Sequence, residues 1–388
     1  MDSQNKCNHR QRWHRVALTL LVALAALTAC LGLAPIGRAI VRAGLFVLDI
    51  LPQSPISPLR TFTSPPRVEE IHFPYQKGDA EARLYRPAGD GPHSAMVFSL
   101  GYGPDPNDPM LVRVSDDLAR LGIVVLIPNL PGAHAGNLAP GDVEVLVSAF
   151  EYLSTQPYVN PDHIGFAGFC IGSSLALVAA EDPQISQHVS YVNVFGGYYN
   201  ARDMIRTIAT RSSRYKDEEL AWSPNHQTIL LFVQNVLVHL DTSQDRQALL
   251  RLLQAPAGSS SATLSELPPL GRLGYTVLMG SDPVTVDALV AQIPEQELAE
   301  LDLISPSTGI DRLRAKVFIM HDVGDPYVPV TESYRLADAI SDPQQKVCTQ
   351  FTLFDHVRPS RSLSWGELLK EAIKLFVYLC KLMVYITG

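Results

Sequence analysis

Short apolar runs alternate with amphipathic stretches along much of this chain, and the alternation predicts its elements. Residues 68–75 and 80–85 read as a hairpin turned at Lys77-Gly78-Asp79. A buried strand is expected over 95–100 and a helix over 110–121. Ile123-Val124-Val125-Leu126-Ile127 is continuous and mostly β-branched, as in a strand covered on both faces. An amphipathic helix over 143–153, a strand over 163–167, a helix from Ser173 and a strand over 191–195 follow. Such an order predicts an α/β protein with a mostly parallel, doubly wound sheet.

The alternation stops after Gly197 and resumes at 316–320, continuing with a helix over 331–340, a strand over 346–353 and a closing helix over 373–386. Between these parts the pattern is mainly helical, clearest over 229–240, 246–253, 284–292 and 295–302, with a Ser/Pro/Gly-containing loop over 256–267. An insertion this long is more than a loop. It is expected to be a lid over the catalytic end of the sheet, where α/β folds place specificity. The organisation expected is therefore 1–51 as an N-terminal targeting segment, 52–67 as a proline-rich linker, 68–197 and 313–388 as the two parts of the core, and 198–312 as the lid.

The N-terminal segment follows a different pattern. Lys6, Arg10, Arg12 and Arg15 precede nineteen uncharged, mostly apolar residues from Val16 to Ala34. That length suits a transmembrane helix, and a basic stretch before an apolar one also suits an export signal. Leu27-Thr28-Ala29-Cys30 is similar to a lipoprotein processing box. The expectation is membrane association through this segment, with the catalytic part on the non-cytoplasmic side; a lipoprotein or exported protein, or a helix buried in the core, are the alternatives.

Composition narrows the classes. The chain has 388 residues, a formal charge of -8 and 18% charged residues, which argues against a nucleic-acid partner. Five cysteines without repeated spacing suggest no disulfide framework, and the eleven histidines include no His-Glu-x-x-His pair. No metal or cofactor is expected.

The candidate chemistry sits at Gly168-Phe169-Cys170-Ile171-Gly172, between an expected strand and an expected helix. A nucleophile on a strained strand–helix turn needs small neighbours, and a helix N-terminus beside Cys170 favours its thiolate. A thiolate nucleophile is commonly served by a histidine that an acid orients. His356 follows the last expected strand, and Asp325 lies in the loop after the strand over 316–320, with Asp322 as the competing acid. For the oxyanion, the backbone N–H groups of Ile171 and of Tyr102, in Gly101-Tyr102-Gly103, are the candidate donors.

With these residues the chain resembles the α/β-hydrolase superfamily and, within it, the dienelactone hydrolases, which carry a Gly-x-Cys-x-Gly elbow and a Cys-Asp-His triad. The resemblance runs from about Val68 to the last helix, without the lid. It implies Cys170 as nucleophile, Asp325 as acid and His356 as base. Asp322, Asp355 and Ser173 depart from the glycines common in that family. What is implied is hydrolysis of a small-molecule acyl substrate, an ester, lactone or thioester. A hydroxyacyl transferase resembling polyhydroxyalkanoate synthase and a catalytically silent binding protein are the alternatives.

Overall fold

The computed structural model describes residues 34–50, 57–101, 107–254 and 261–387. Its centre is an eight-stranded sheet built from β1 (Arg67–Tyr75), β2 (Gly78–Arg86), β3 (His93–Ser99), β4 (Ile123–Pro128), β5 (Val159–Phe169), β6 (Tyr191–Phe195), β9 (Lys316–Asp322) and β10 (Lys346–Phe351). A separate two-stranded hairpin is formed by β7 (Ser212–Tyr215) and β8 (Glu218–Ala221). The large sheet runs in the order β1-β2-β4-β3-β5-β6-β9-β10. Only the β1–β2 and β2–β4 pairings are antiparallel; the others are parallel. This is the α/β-hydrolase fold.

Period-2 alternation feeds two cores. On β3, Ala95 and Val97 face one side, where they join the helices Pro140–Ser154 and Ile171–Ala180. Met96 and Phe98 face the other, where the helices Pro109–Arg120, Pro35–Ile50 and Trp365–Thr387 close the layer. Both faces of each central strand are therefore covered, which explains the continuous apolar runs in the sequence.

The expectation of a transmembrane helix is corrected. Among the described residues no helix is long and apolar enough to cross a membrane. Residues 16–33 lie outside the described residues, and the segment after them packs on protein. In Pro35–Ile50, the buried Ala39, Ala43, Phe46 and Val47 recur at helical spacing and join the core against the last helix. Burying Phe46 and Val47 contributes roughly 1.5–3 kcal/mol each, which outweighs differences in helix propensity of at most about 0.7 kcal/mol per ordinary residue. Asp49 then accepts from the Leu59 N–H at 3.2 Å and from Ser57 Oγ, tying the short helix Pro58–Phe62 to this face.

Between β6 and β9 lie seven helices among the described residues: Ala201–Thr210, His226–His239, Ser243–Gln254, Ser261–Glu266, Pro269–Met279, Pro283–Val290 and Glu295–Leu303. The β7–β8 hairpin and the helix Pro269–Met279 were not predicted from the pattern. Ser261–Glu266 stands where a loop over 256–267 was expected, and the short helix Pro131–Ala135 was not predicted either. Buried Asp142 holds that helix by accepting from the Gly132 and Ala133 N–H groups at 2.8 and 2.9 Å.

Candidate active site

β5 runs directly into the helix Ile171–Ala180, and Cys170 is the residue at the turn. Its backbone sits at φ 54° and ψ -141°, a conformation that costs a non-glycine residue about 1–3 kcal/mol. Hydrogen bonds hold it there. The Cys170 N–H donates to the Phe195 carbonyl at 2.8 Å, and the Cys170 carbonyl accepts from Ser173 N–H and Oγ at 3.0 and 2.7 Å. Ser173, a departure from the resembled family, thus gives the turn an extra anchor. The bracketing glycines answer to space. A Cβ on Gly168 would lie 2.7 Å from Ser173 Cα, and one on Gly172 would lie 2.2 Å from the Leu100 carbonyl oxygen.

His356 and Asp325 come together above this turn. Their loops follow β10 and β9, neighbouring parallel strands, so both emerge at the same end of the sheet. His356 Nδ1–H donates to Asp325 Oδ2 at 2.6 Å. A tight turn fixes the histidine, with Asp355 and Arg358 exchanging backbone hydrogen bonds at 2.7 and 3.1 Å. Tyr327 stacks on the imidazole, ring centroids 4.5 Å apart. His356 Nε2 is buried without a hydrogen-bond partner, and the Cys170 sulfur lies near enough to act on the ring. Burial opposes a charge on the ring, but the Cys170 sulfur and the Asp325 carboxylate outweigh it and raise His356 to about 10.

Asp325 is the more elaborately held of the two candidate acids. Its Oδ1 accepts from Tyr327 and Val328 N–H at 2.8 and 3.2 Å, and His321 Nε2 stands 3.5 Å from Oδ2. Burial works against its charge, yet the two neighbouring histidines hold it well below the usual carboxylate range. Asp322 faces elsewhere. It accepts from Gly324 N–H at 2.9 Å and Phe354 N–H at 3.0 Å, and Arg361 pairs with it at 2.9 Å. Burial pushes its pKa up, against those contacts.

Ile171 is the first residue of its helix, where N–H groups have no intrahelical partner. Tyr102 lies outside the described residues. Gly101 is described, and a Cβ there would lie 2.8 Å from the Cys170 Cβ, so this backbone runs against the elbow.

A cavity of about 920 Å³ opens over Cys170 and His356 and extends among the helices Ala201–Thr210, His226–His239 and Glu295–Leu303. Sequence reasoning missed four residues that shape the site. His321 adjoins Asp322, and its spacing of four from Asp325 was the available signal. Tyr327 lies two residues beyond Asp325. Trp222, just after β8, donates its Nε1–H to the Asp325 carbonyl at 2.8 Å. Tyr198 donates to the Ile304 carbonyl at 2.8 Å, joining the loop after β6 to the end of Glu295–Leu303. Nothing in the sequence marked either of the last two.

No protein-family model and no curated protein matches the sequence. Among solved structures, a dipeptidyl aminopeptidase IV-type protein from Bacteroides ovatus overlays 82% of this chain and 36% of its own, with 12% identity and a TM-score of 0.48. Pyrococcus horikoshii acylaminoacyl peptidase overlays 84% of this chain and 42% of its own, with 11% identity and a TM-score of 0.45. The 2,6-dihydroxy-pseudo-oxynicotine hydrolase overlays 81% and 68%, with 13% identity and a TM-score of 0.46. This chain spans less than half the length of the two peptidases. The fold assignment rests on strand order, not on these likenesses.

Proposed function

We propose that this chain is a cysteine-dependent acyl hydrolase, cleaving an ester, lactone or thioester in the manner of the dienelactone hydrolases that its elbow resembles. One observation carries the reading: strained Cys170, at a helix N-terminus, faces a buried His356 that is hydrogen-bonded to Asp325.

The chemistry follows from these positions. Cys170 attacks as the thiolate, with the proton on His356 Nε2. A C–S bond forms, and the carbonyl electron pair moves to oxygen, held by the Ile171 N–H and by a second donor for which Tyr102 remains the candidate from the sequence. As the oxyanion collapses, the bond to the leaving oxygen or sulfur breaks and His356 protonates that atom. Water then attacks the acyl thioester, giving its proton to His356. The C–S bond breaks, and the acid leaves with the thiolate restored. Asp325 stabilises the imidazolium and fixes the ring throughout.

Mass spectrometry of the protein stopped during turnover of an activated ester tests the reading. An acyl adduct on Cys170, absent from Cys170→Ala, is expected. An adduct on another residue, with Cys170 unmodified, would sink the mechanism.

A further inference from the structure

We infer that the lid groove binds an unbranched aliphatic acyl chain of about a dozen carbons, with its carbonyl at Cys170 and its far end in water; this rests on the acyl-hydrolase reading. The cavity is continuous with Cys170 and His356 and follows the helix His226–His239. That helix starts against the catalytic loop. Asn225 N–H donates to the Pro326 carbonyl at 2.6 Å, and Tyr327 Oη donates to Gln227 Oε1 at 3.1 Å. It ends where His239 Nε2 stands 3.8 Å from Glu300 Oε2. From Gln227 to His239 the axis advances roughly 18 Å at 1.5 Å per residue. Carbon–carbon bonds of about 1.5 Å in a zigzag need on the order of a dozen carbons to cover it.

The walls select the chemistry. Met204, Ile205, Ile208, Leu231, Leu273 and Leu301, from four helices, line the groove. Asn235, half-buried on the same helix, has both amide hydrogens committed, to the Gly136 and Leu231 carbonyls at 2.9 Å each. Its Oδ1 already accepts from Leu138 N–H at 3.1 Å. An extended peptide laid against these walls would leave buried amides unpaired, at about 1–3 kcal/mol each. A methylene chain has no such cost and gains from every carbon covered. The groove is not sealed: Leu230 is 46% exposed, and Gln234, Glu297 and Glu300 border the far end at the surface. A longer chain would therefore run out into solvent rather than meet a wall.

A series of 4-nitrophenyl acetate, octanoate, dodecanoate and hexadecanoate, each below its aggregation limit, tests this on the full chain. We expect kcat/KM to rise by roughly 100-fold from acetate to dodecanoate, less than full burial would give, and then to level off. Leu231→Trp should lower the dodecanoate-to-acetate ratio at least about tenfold, if that indole blocks the groove midway. In folded Cys170→Ala, sodium dodecanoate should bind far more tightly than butyrate, its carboxylate facing His356 and the helix N-terminus. A flat series with Cys170-dependent acetate turnover overturns the chain inference and leaves the hydrolase reading intact. If no ester is turned over and Cys170 is never acylated, the hydrolase reading fails. Equal binding of dodecanoate and butyrate would then overturn this inference too.

Discussion

Asp325 and His356, separated by 31 positions, meet in a 2.6 Å hydrogen bond because β9 and β10 are neighbouring parallel strands that deliver both loops to one edge. Asp325 is also held independently of the histidine, since two backbone N–H groups of its own loop donate to Oδ1. Removing its charge while keeping its shape isolates what it does. Asp325→Asn should bring the His356 titration down toward its ordinary value and lower turnover by roughly 10³–10⁴-fold. NMR of the ring Cε1–H and steady-state kinetics would read the two effects. An unmoved titration would mean that the sulfur alone holds the proton on His356.

The same pair sets a pH window for stability. His356 is raised from 6.5 to about 10 on folding, so its contribution is complete below about 6.5 and is lost as pH rises through about 10. Asp325 is depressed, so its contribution is present above the ordinary carboxylate value and is lost as pH falls toward its folded value. Denaturant melts of the native chain and His356→Gln should therefore differ most near pH 5–6 and converge toward pH 10. A gap that widens with pH would contradict the assignment.

Gly172→Ala tests the elbow by space alone. The new Cβ would meet the Leu100 carbonyl oxygen at 2.2 Å, and backbone must move to admit it. We expect a loss of about 2–3 kcal/mol in urea unfolding together with slower alkylation of Cys170. Native stability and reactivity in this variant would show that the helix approaches the strand less closely.

Glu181, at the far end of the elbow helix, offers a separate test. Both carboxyl oxygens are buried without a hydrogen-bond partner, and burial raises its pKa to about 9 against the pull of Arg312. The folded protein keeps this proton where the unfolded chain has lost it, so stability should fall as pH rises from 4.5 to about 9. Glu181→Gln should flatten that decline, which melts across the range would detect. A decline of equal slope in the variant would assign it to other groups.

The parts legible in the sequence were those where one requirement dominates. Strands such as Ile123–Pro128 are buried on both faces and so read as unbroken apolar runs. The elbow shows because only small residues fit where Gly168 and Gly172 lie. Elsewhere, two requirements overlap. Gly271 and Gly274 made Pro269–Met279 look unlike a helix, yet a Cβ on Gly274 would come within 2.9 Å of Val236 Cγ1. Close helix packing, not a turn, explains that glycine. The run from Val16 that suggested a membrane span lies outside the described residues up to position 33, and Pro35–Ile50, grouped with it as a targeting segment, carries an apolar stripe that packs on the core. Trp222 and Tyr198 were invisible because their partners are backbone carbonyls far along the chain.

The bond from Trp222 to the Asp325 carbonyl makes the inserted segment a splint for the loop that carries Asp325. The inserted segment is then not a detachable module whose exchange would retune selectivity alone. Cutting it out would unfasten the loop that holds Asp325, so that any change in what the cavity admits would come with a disturbed Asp325–His356 pair. Single side chains lining the cavity can be exchanged without touching that bond.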